Sequence, residues 1–174
     1  MIPRPVPLTP LTPEAFAPFG RVIACGLGEV IAINGGTCER HHALCEIEHA
    51  PGRRPVLSIF RAEPRTLPMA VRMMERHPLG SQAFVPLGSS DGGEGVARHG
   101  WIAVVAPDAG GRPGPPLAFG CRGDQGVSYA PNVWHHPLIV LGARADFLVA
   151  DAVGEAPNLE EVDYDTAWTL QLPG

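Results

Sequence analysis

Glycine and proline interrupt this chain so often that long helices have little room to form. The sequence contains 21 glycines and 20 prolines among 174 residues, and both recur between short apolar segments. Glycine adopts the positive φ angles that tight turns need, and proline fixes φ and lacks a backbone donor. Frequent turns between short segments are typical of β-sandwiches and β-barrels. The sequence therefore predicts an all-β fold, and its length suits a single domain that covers residues 1–174.

The spacing of the apolar residues supports this prediction. From Arg21 onward they recur with a period of two, which indicates strands. The predicted strands are 21–24, 29–34, 55–61, 71–77, 82–87, 101–106, 127–130, 135–141 and 145–151. A short helix is predicted at 12–16, because Thr12 can cap its start and Pro13 suits its first position. We expect the acidic segment 155–165 to be a solvated surface segment, either a short helix or an extended tail.

Charge and composition argue against several kinds of partner. The formal net charge is −5 and the longest basic run is the pair Arg53-Arg54, so a surface for nucleic acid is not expected. No segment approaches the roughly 20 apolar residues that span a membrane, and the proline-rich start is unlike a signal peptide. The four cysteines show no CxxC spacing, which favours reduced thiols in the cytoplasm. The Gly-rich stretches 88–93 and 110–114 are expected to be surface loops of the same domain.

One predicted strand carries polar groups suited to chemistry. Alternation along 71–77 would place Glu75 and His77 on one face, together with Val71 and Met73. Gln82 opens the next predicted strand, and the loop between the two strands can bring it back near His77. We therefore expect an acid, an imidazole and an amide to converge at a site.

A second group of polar residues follows position 128. Tyr129 precedes a turn that leads into His135 and His136, and only one of these neighbouring histidines can point inward. Arg61 and Arg40 are the candidate anchors for a substrate carboxylate, because guanidinium binds carboxylate through two parallel hydrogen bonds. No cysteine has a neighbouring base in sequence, which disfavours a nucleophilic thiol.

These two groups resemble the paired motifs of the cupin superfamily. The spacing Glu75-x-His77-x4-Gln82 is similar to the first motif, HxHx4E, with Glu and Gln replacing the first His and the Glu. The spacing Ala130-x-Asn132-x-x-His135 is similar to the second motif, PxGxxH. The longer strings at 75–84 and 132–138 resemble the ureidoglycolate lyase family, and segments at 33–40, 58–64, 124–129 and 146–148 extend the resemblance along the chain. It departs at Gly35 and at a longer Gly-rich insert, 88–100.

The resemblance implies a fold, an activity and an assembly. It implies the cupin double-stranded β-helix with a few short helices, and a homodimer in the cytoplasm. The implied reaction splits (S)-ureidoglycolate into glyoxylate and urea during allantoin and purine nitrogen catabolism. A divalent metal, nickel in this family, is implied, and no organic cofactor is expected.

The expected roles follow from the chemistry of the side chains. Cleavage needs a base for the substrate hydroxyl, for which His77, His135 and Glu75 are the candidates, and Tyr129 could protonate the leaving nitrogen. Substrate binding is expected from a second set of residues: Arg61, Arg40, Gln82 and His136. If a metal binds, His77, His135 and either Gln82 or Glu75 are the expected ligands. The alternatives are an amidohydrolase that releases ammonia from the same substrate, and a non-catalytic cupin that binds a small acid.

Overall fold

The computed structural model describes residues 4–88 and 100–172. Most of these residues lie in strands, and the α-helix found among them is the short α1 (Pro13–Phe16). The strands of the described residues are β1 (Arg4–Pro5), β2 (Leu8–Pro10), β3 (Gly20–Ile23), β4 (Glu29–Ile33), β5 (Cys38–His42), β6 (Arg54–Ala62), β7 (Met69–Arg76), β8 (Gln82–Leu87), β9 (Trp101–Ala106), β10 (Leu117–Cys121), β11 (Gly126–Tyr129), β12 (Trp134–His135), β13 (Ile139–Val140), β14 (Ala145–Val153) and β15 (Glu160–Leu170). The predicted Gly-rich insert at 88–100 lies outside the described residues except for Gly88 and Gly100.

Two main sheets form the body of the described chain. The larger sheet has the strand order β1-β15-β7-β12-β9-β10-β2, with β13 also paired to β9. The smaller sheet has the order β3-β11-β8-β14-β6, and β4 and β5 form a separate hairpin. The protein thus has the predicted all-β, cupin-like fold. The described residues contain no helix long and apolar enough to cross a membrane.

The core consists of two apolar clusters, one on each side of the larger sheet. All six residues of β9 are buried, because alternate side chains enter opposite clusters. Trp101 and Val105 face the first cluster, which also receives side chains from the smaller sheet such as Phe147. Trp134 and Met74 enter the second cluster, on the other side. A fully buried strand shows no alternation of polarity, and this is why β9 reads as a continuous apolar run.

The predicted helix at 12–16 is confirmed. The side chain of Thr12 accepts a hydrogen bond from the backbone N–H of Ala15 at 3.2 Å, as expected for an N-cap. Phe16 at the end of the helix is fully buried and packs edge-on against Phe119, with ring centroids 5.4 Å apart. This short helix therefore anchors the N-terminal segment on the first cluster.

Two sequence predictions about strands were wrong. The single strand predicted at 135–141 is divided into β12 and β13, because Pro137 between them has no N–H to donate to a ladder. The acidic segment predicted as a surface tail or helix contains the start of β15, which pairs with β7 along most of its length. In β15, Val162 and Tyr164 pack on the second cluster, while the acids that alternate with them, Glu161, Asp163 and Asp165, are exposed. The alternation of Val162 and Tyr164 with acids is present in the sequence, but the number of acids suggested a solvated segment and not a strand.

Candidate active site

The candidate site lies where β7 and β12 pair at one end of the larger sheet. Glu75 and His135 are directly opposite each other in the antiparallel ladder, and His77 follows the end of β7. Trp134 and Met74, their sequence neighbours, point into the second apolar cluster. Since neighbouring residues on a strand point to opposite faces, Glu75 and His135 point away from that cluster. The two strands thus present an acid and an imidazole on one face.

The alternation predicted along β7 holds only near its end. Val71 packs in the second cluster together with Met74, so Val71 does not share the face of Glu75 and His77 as expected. The partner strand β15 shifts its register between Asp163 and Trp168, opposite this part of β7. Such an irregularity breaks the strict period of two.

A tight turn presents His135 to the site. Val133 N–H donates to the carbonyl of Ala130 at 3.3 Å, with Pro131 and Asn132 at the centre of the turn. Asn132 has a positive φ of 68°, which asparagine tolerates better than most residues, and proline before it is typical of a type II turn. Asn132 N–H also donates to the carbonyl of His77 at 2.9 Å. This bond ties the turn before His135 to the end of β7.

The three candidate side chains converge in space. One nitrogen or carboxylate oxygen from each of Glu75, His77 and His135 lies within 4.8 Å of the other two. The separation of His135 Nε2 from Glu75 Oε1 is 3.6 Å, and the two imidazole rings have centroids 5.2 Å apart. The predicted convergence of Glu75 with His77 is therefore seen in the structure, with His135 as its third member.

The hydrogen bonds of the two histidines direct one nitrogen of each into the cluster. His135 Nδ1 lies 2.9 Å from the carbonyl of Val133, and His77 Nδ1 lies 2.5 Å from the carbonyl of Asn158. A carbonyl only accepts hydrogen bonds, so each Nδ1 carries a proton, and in a neutral ring the lone pair is then on Nε2. Both Nε2 atoms are buried without a hydrogen-bond partner among the described residues.

Burial shifts the pKa values of two of these groups. Burial lowers the pKa of His135 to about 3, so this imidazole is neutral near pH 7 and its approach to Glu75 is not an ion pair. Burial also raises the pKa of Glu75, His77 acts against that shift, and the neighbouring Glu161 adds to it. The cluster therefore combines the neutral imidazole of His135 with a carboxyl group that is a stronger base than usual.

Tyr129 and Gln82 reach the same interior from the smaller sheet. The ring of Tyr129 stacks on that of His135, with centroids 4.3 Å apart and planes 11° from parallel. Gln82 pairs with Tyr129 in the ladder between β8 and β11, and paired residues share a face. The amide oxygen Oε1 of Gln82 is also buried without a hydrogen-bond partner among the described residues.

This donor set fits a divalent metal. Buried polar atoms normally find hydrogen-bond partners, yet His77 Nε2, His135 Nε2 and Gln82 Oε1 have none in the part of the chain that the structure describes. Neutral imidazole, carboxylate and amide oxygen together suit a first-row divalent ion. Each histidine also donates its other ring N–H to a backbone carbonyl, which is the usual arrangement for metal ligands. Glu75, His77 and His135 thus form a possible metal-binding triad.

One known protein family matches nearly the whole chain. The model of the ureidoglycolate lyase family matches residues 3–171. The chain belongs to the ureidoglycolate lyase family. Members of the family are lyases, so the chain is an enzyme that acts on a small molecule.

Curated proteins named ureidoglycolate lyase align with nearly the whole of this chain. The ureidoglycolate lyase of Rhizobium etli is 48% identical over 173 residues, which is 99% of each chain. That of Agrobacterium fabrum is 50% identical over 167 residues, or 95% of each chain. That of Burkholderia cepacia is 49% identical over 163 residues, covering 93% of this chain and 88% of the relative.

Three predicted substrate-binding residues lie apart from the cluster in this ureidoglycolate lyase family member. Arg61 is 62% exposed in its side chain and forms two hydrogen bonds of 2.8 Å with Asp146. In the ladder between β14 and β8, Asp146 pairs with Leu87. Leu87 is the last residue of β8, whereas Gln82 is the first. At about 3.3 Å per residue, the length of β8 separates these ends by roughly 17 Å.

Arg40 and His136, the other two residues, lie away from the cluster for different reasons. Arg40 is exposed on the separate hairpin, where it pairs with Ile31. His136 is buried, but its Nδ1 lies 2.8 Å from the carbonyl of Pro137 and it follows His135 on an extended segment. Since successive side chains there point to opposite sides, His136 points away from the cluster.

Sequence reasoning missed two residues at the site. Asn158 contacts His77, and Glu161 pairs with Glu75 across the ladder between β15 and β7. Both lie in the acidic segment that was expected to be a solvated surface segment. The alternation of Val162 and Tyr164 with acids was the signal that could have identified the strand and its partner face.

Proposed function

We propose that the protein is a ureidoglycolate lyase that cleaves (S)-ureidoglycolate into glyoxylate and urea. The observation that carries this proposal is the family match over residues 3–171, which includes every residue of the site cluster. The name of the similar proteins from Rhizobium etli and Agrobacterium fabrum supports the same substrate. Their high coverage of this chain supports the same reaction.

The reaction needs two proton movements at one carbon. Ureidoglycolate carries a hydroxyl and a ureido nitrogen on the carbon next to its carboxylate. Loss of the hydroxyl proton lets that oxygen form the carbonyl of glyoxylate while the C–N bond breaks. The bonding electron pair goes to the nitrogen, which takes up a proton and leaves as urea.

We assign the proton acceptor to Glu75. Its carboxylate is partly exposed, with 19% of the side chain accessible, and burial raises its pKa, which brings it nearer to the operating pH. General base catalysis by a group of this kind contributes about 10²–10⁴-fold. Tyr129 stacks on His135 and fixes its ring, and its buried hydroxyl, with a raised pKa, remains protonated and is the candidate donor to nitrogen.

We propose that His77, His135 and Gln82 hold a divalent metal, nickel by family resemblance. When bound, such an ion would polarise the substrate hydroxyl and neutralise its carboxylate. The partnerless Nε2 atoms and the Gln82 amide oxygen support this assignment. A bound ion would also supply the positive charge that Arg61 and Arg40 were expected to provide. We propose no substrate contact for either arginine within one protomer.

Product analysis tests the proposed reaction. Purified protein given ureidoglycolate should release glyoxylate and urea in equal amounts, and less of both after chelation. His77→Ala and His135→Ala should lower turnover by at least about 100-fold. His49→Ala is the control, because His49 is exposed and its ring lies 3.2 Å from the carbonyl of its own neighbour, Ala50. Ammonia in place of urea would indicate the amidohydrolase, and no turnover with added nickel or manganese would indicate a non-catalytic cupin.

We also propose that one domain spans residues 1–174 and forms a homodimer in the cytoplasm. Apolar side chains are exposed on the outer face of the smaller sheet, among them Leu57 at 67%, Ile59 at 56% and Leu87 at 48%. An exposed apolar sheet face of this kind marks an interaction site more often than free surface. The exposed free thiols of Cys25 and Cys38 are compatible with a reducing compartment.

A further inference from the structure

Asn158 makes two contacts with the loop that follows β7. Its backbone carbonyl lies 2.5 Å from His77 Nδ1, and its side-chain oxygen Oδ1 accepts from the backbone N–H of Leu79 at 2.6 Å. Both contacts are partly buried. One residue therefore holds the ring of His77 and the backbone two residues further along.

The side-chain contact determines where the carbonyl lies. Asn158 belongs to the connection between β14 and β15, and a connection without ladder pairing would otherwise have several positions available. The bond to Leu79 fixes the connection relative to the loop that carries His77. Because the carbonyl of Asn158 accepts from Nδ1, the proton stays on that nitrogen and the lone pair of Nε2 faces Glu75 and His135.

The loop is held from other directions as well. The carbonyl of Leu79 accepts from Ala50 N–H at 3.0 Å, and that of His77 accepts from Asn132 N–H at 2.9 Å. Arg53 donates to the carbonyl of Ala156 in the connection that carries Asn158, and to the carbonyl of Ala152 on β14. The first two bonds hold the backbone of the loop, the bonds of Arg53 hold the connection, and none of them touches the His77 ring. Among the described residues, the bond to Nδ1 of His77 comes from Asn158.

We propose that Asn158 is a positioning residue whose side chain, through Leu79, keeps its carbonyl on His77 and so maintains the ring tautomer that binds a divalent cation. The inference rests on the proposed metal-assisted function for its consequence in catalysis. The effect of Asn158 on the tautomer of His77 does not depend on metal or on turnover. Partners of this kind behind a metal-binding histidine change metal affinity by about 10–100-fold.

The test compares Asn158→Ala with Asn158→Asp in the full chain. The alanine variant loses the acceptor for Leu79 N–H, whereas aspartate keeps an oxygen at the same place. The ring tautomer of His77 is read from ¹⁵N–¹H correlations of the metal-free protein, and Ni²⁺ affinity is measured by calorimetry. Thr12→Ala is the stability control, since it removes a helix cap and touches no residue of the cluster.

We expect the wild type, Asn158→Asp and Thr12→Ala to carry the proton on Nδ1 of His77. In Asn158→Ala the ring should populate both tautomers and Ni²⁺ affinity should fall by about 10–100-fold. A single Nδ1–H tautomer in Asn158→Ala would overturn the inference, as would unchanged Ni²⁺ affinity in a wild type that binds Ni²⁺. If the wild type neither binds Ni²⁺ nor cleaves ureidoglycolate, the proposed function fails, and the tautomer of the metal-free variants still decides the role of Asn158.

Discussion

His135 is buried on all sides, yet one of its ring nitrogens has no hydrogen-bond partner among the described residues. The ring is 2% exposed, stacks on Tyr129, and donates Nδ1–H to the carbonyl of Val133. Its Nε2 faces the carboxylate of Glu75 at 3.6 Å. A neutral imidazole whose lone pair points at the cluster is better suited to metal binding or proton transfer than to a purely structural role.

The buried state of His135 predicts a pH dependence of stability. Its pKa is lowered to about 3, whereas histidine in an unfolded chain has a pKa of about 6.5. Between these values the unfolded chain binds a proton that the folded chain does not, so stability falls as the pH falls through this window. From pH 7 to pH 5 the loss should be about 2 kcal/mol in the free energy of unfolding.

Urea denaturation of the chelator-treated protein at pH 7 and pH 5 measures this loss. His135→Gln should lose about 2 kcal/mol less than the wild type over the same interval, because glutamine does not titrate. His136, whose pKa is also lowered by burial, is present in both proteins and cancels in the comparison. Equal losses in the two proteins would mean that His135 is protonated in the folded state at pH 5.

At the scale of elements, the site depends on the alignment of three strands. Arg76 lies next to Glu75 but on the other face of β7, where its guanidinium is 4.3 Å from the ring centroid of Trp134 on β12. The same group lies 2.6 Å from Glu160 on β15 and 3.2 Å from Asp108. Trp134 Nε1 donates to Asp108 at 2.9 Å. One side chain thus links β15, β7 and β12 directly behind Glu75 and His135.

Replacing Arg76 should weaken both the fold and the site. Arg76→Met should lower the free energy of unfolding by about 2 kcal/mol, since it removes a cation–π contact and two partly buried ion pairs. Turnover should fall as well, because β7 and β12 carry Glu75 and His135. Arg122→Met is the matched control, since Arg122 pairs with Asp124 on an exposed surface and is itself 59% exposed. A loss as small as that of the control would show that Arg76 does not hold the strands together.

In the described chain, the outer face of the smaller sheet has no covering layer over β6. Leu57 and Ile59 on β6 point outward, while Phe60 between Ile59 and Arg61 packs on the core residue Phe84 with ring centroids 5.8 Å apart. The larger sheet has apolar clusters on both faces, so the asymmetry is confined to the smaller one. A second copy of the chain is the partner that we propose for this face.

A charge on this face should separate the proposed dimer. Ile59→Arg is expected to convert the protein to a monomer, because an isologous interface would place two added cations close together. Light scattering during size-exclusion chromatography gives the mass directly. Val30→Arg is the control, since Val30 is also 49% exposed but lies on the separate hairpin. A monomeric wild type, or a dimeric Ile59→Arg, would exclude an interface through β6.

Local features of the sequence were sufficient for most of the fold and for the centre of the site. Thr12 and Pro13 begin a helix, Pro131 and Asn132 form a turn, and apolar alternation marks strands, because each depends on neighbouring residues only. Glu75 at the end of β7 and His77 just after it are two residues apart, so their shared face follows from extended backbone geometry. The short loop after His77 predicted that Gln82 lies near them, and the resemblance to the paired cupin motifs connected His135 with this group.

Only the tertiary structure decided which distant segments complete the site. Asn158 contacts His77 from the connection between β14 and β15. Glu161 lies opposite Glu75 in the ladder between β15 and β7, two strands that are far apart in sequence. Arg61 has the right chemistry for a carboxylate, but its strand register places it beside Asp146, at the other end of the sheet. Strand order and register are set by the packing of the whole core, and the periodicity of a single segment does not contain that information.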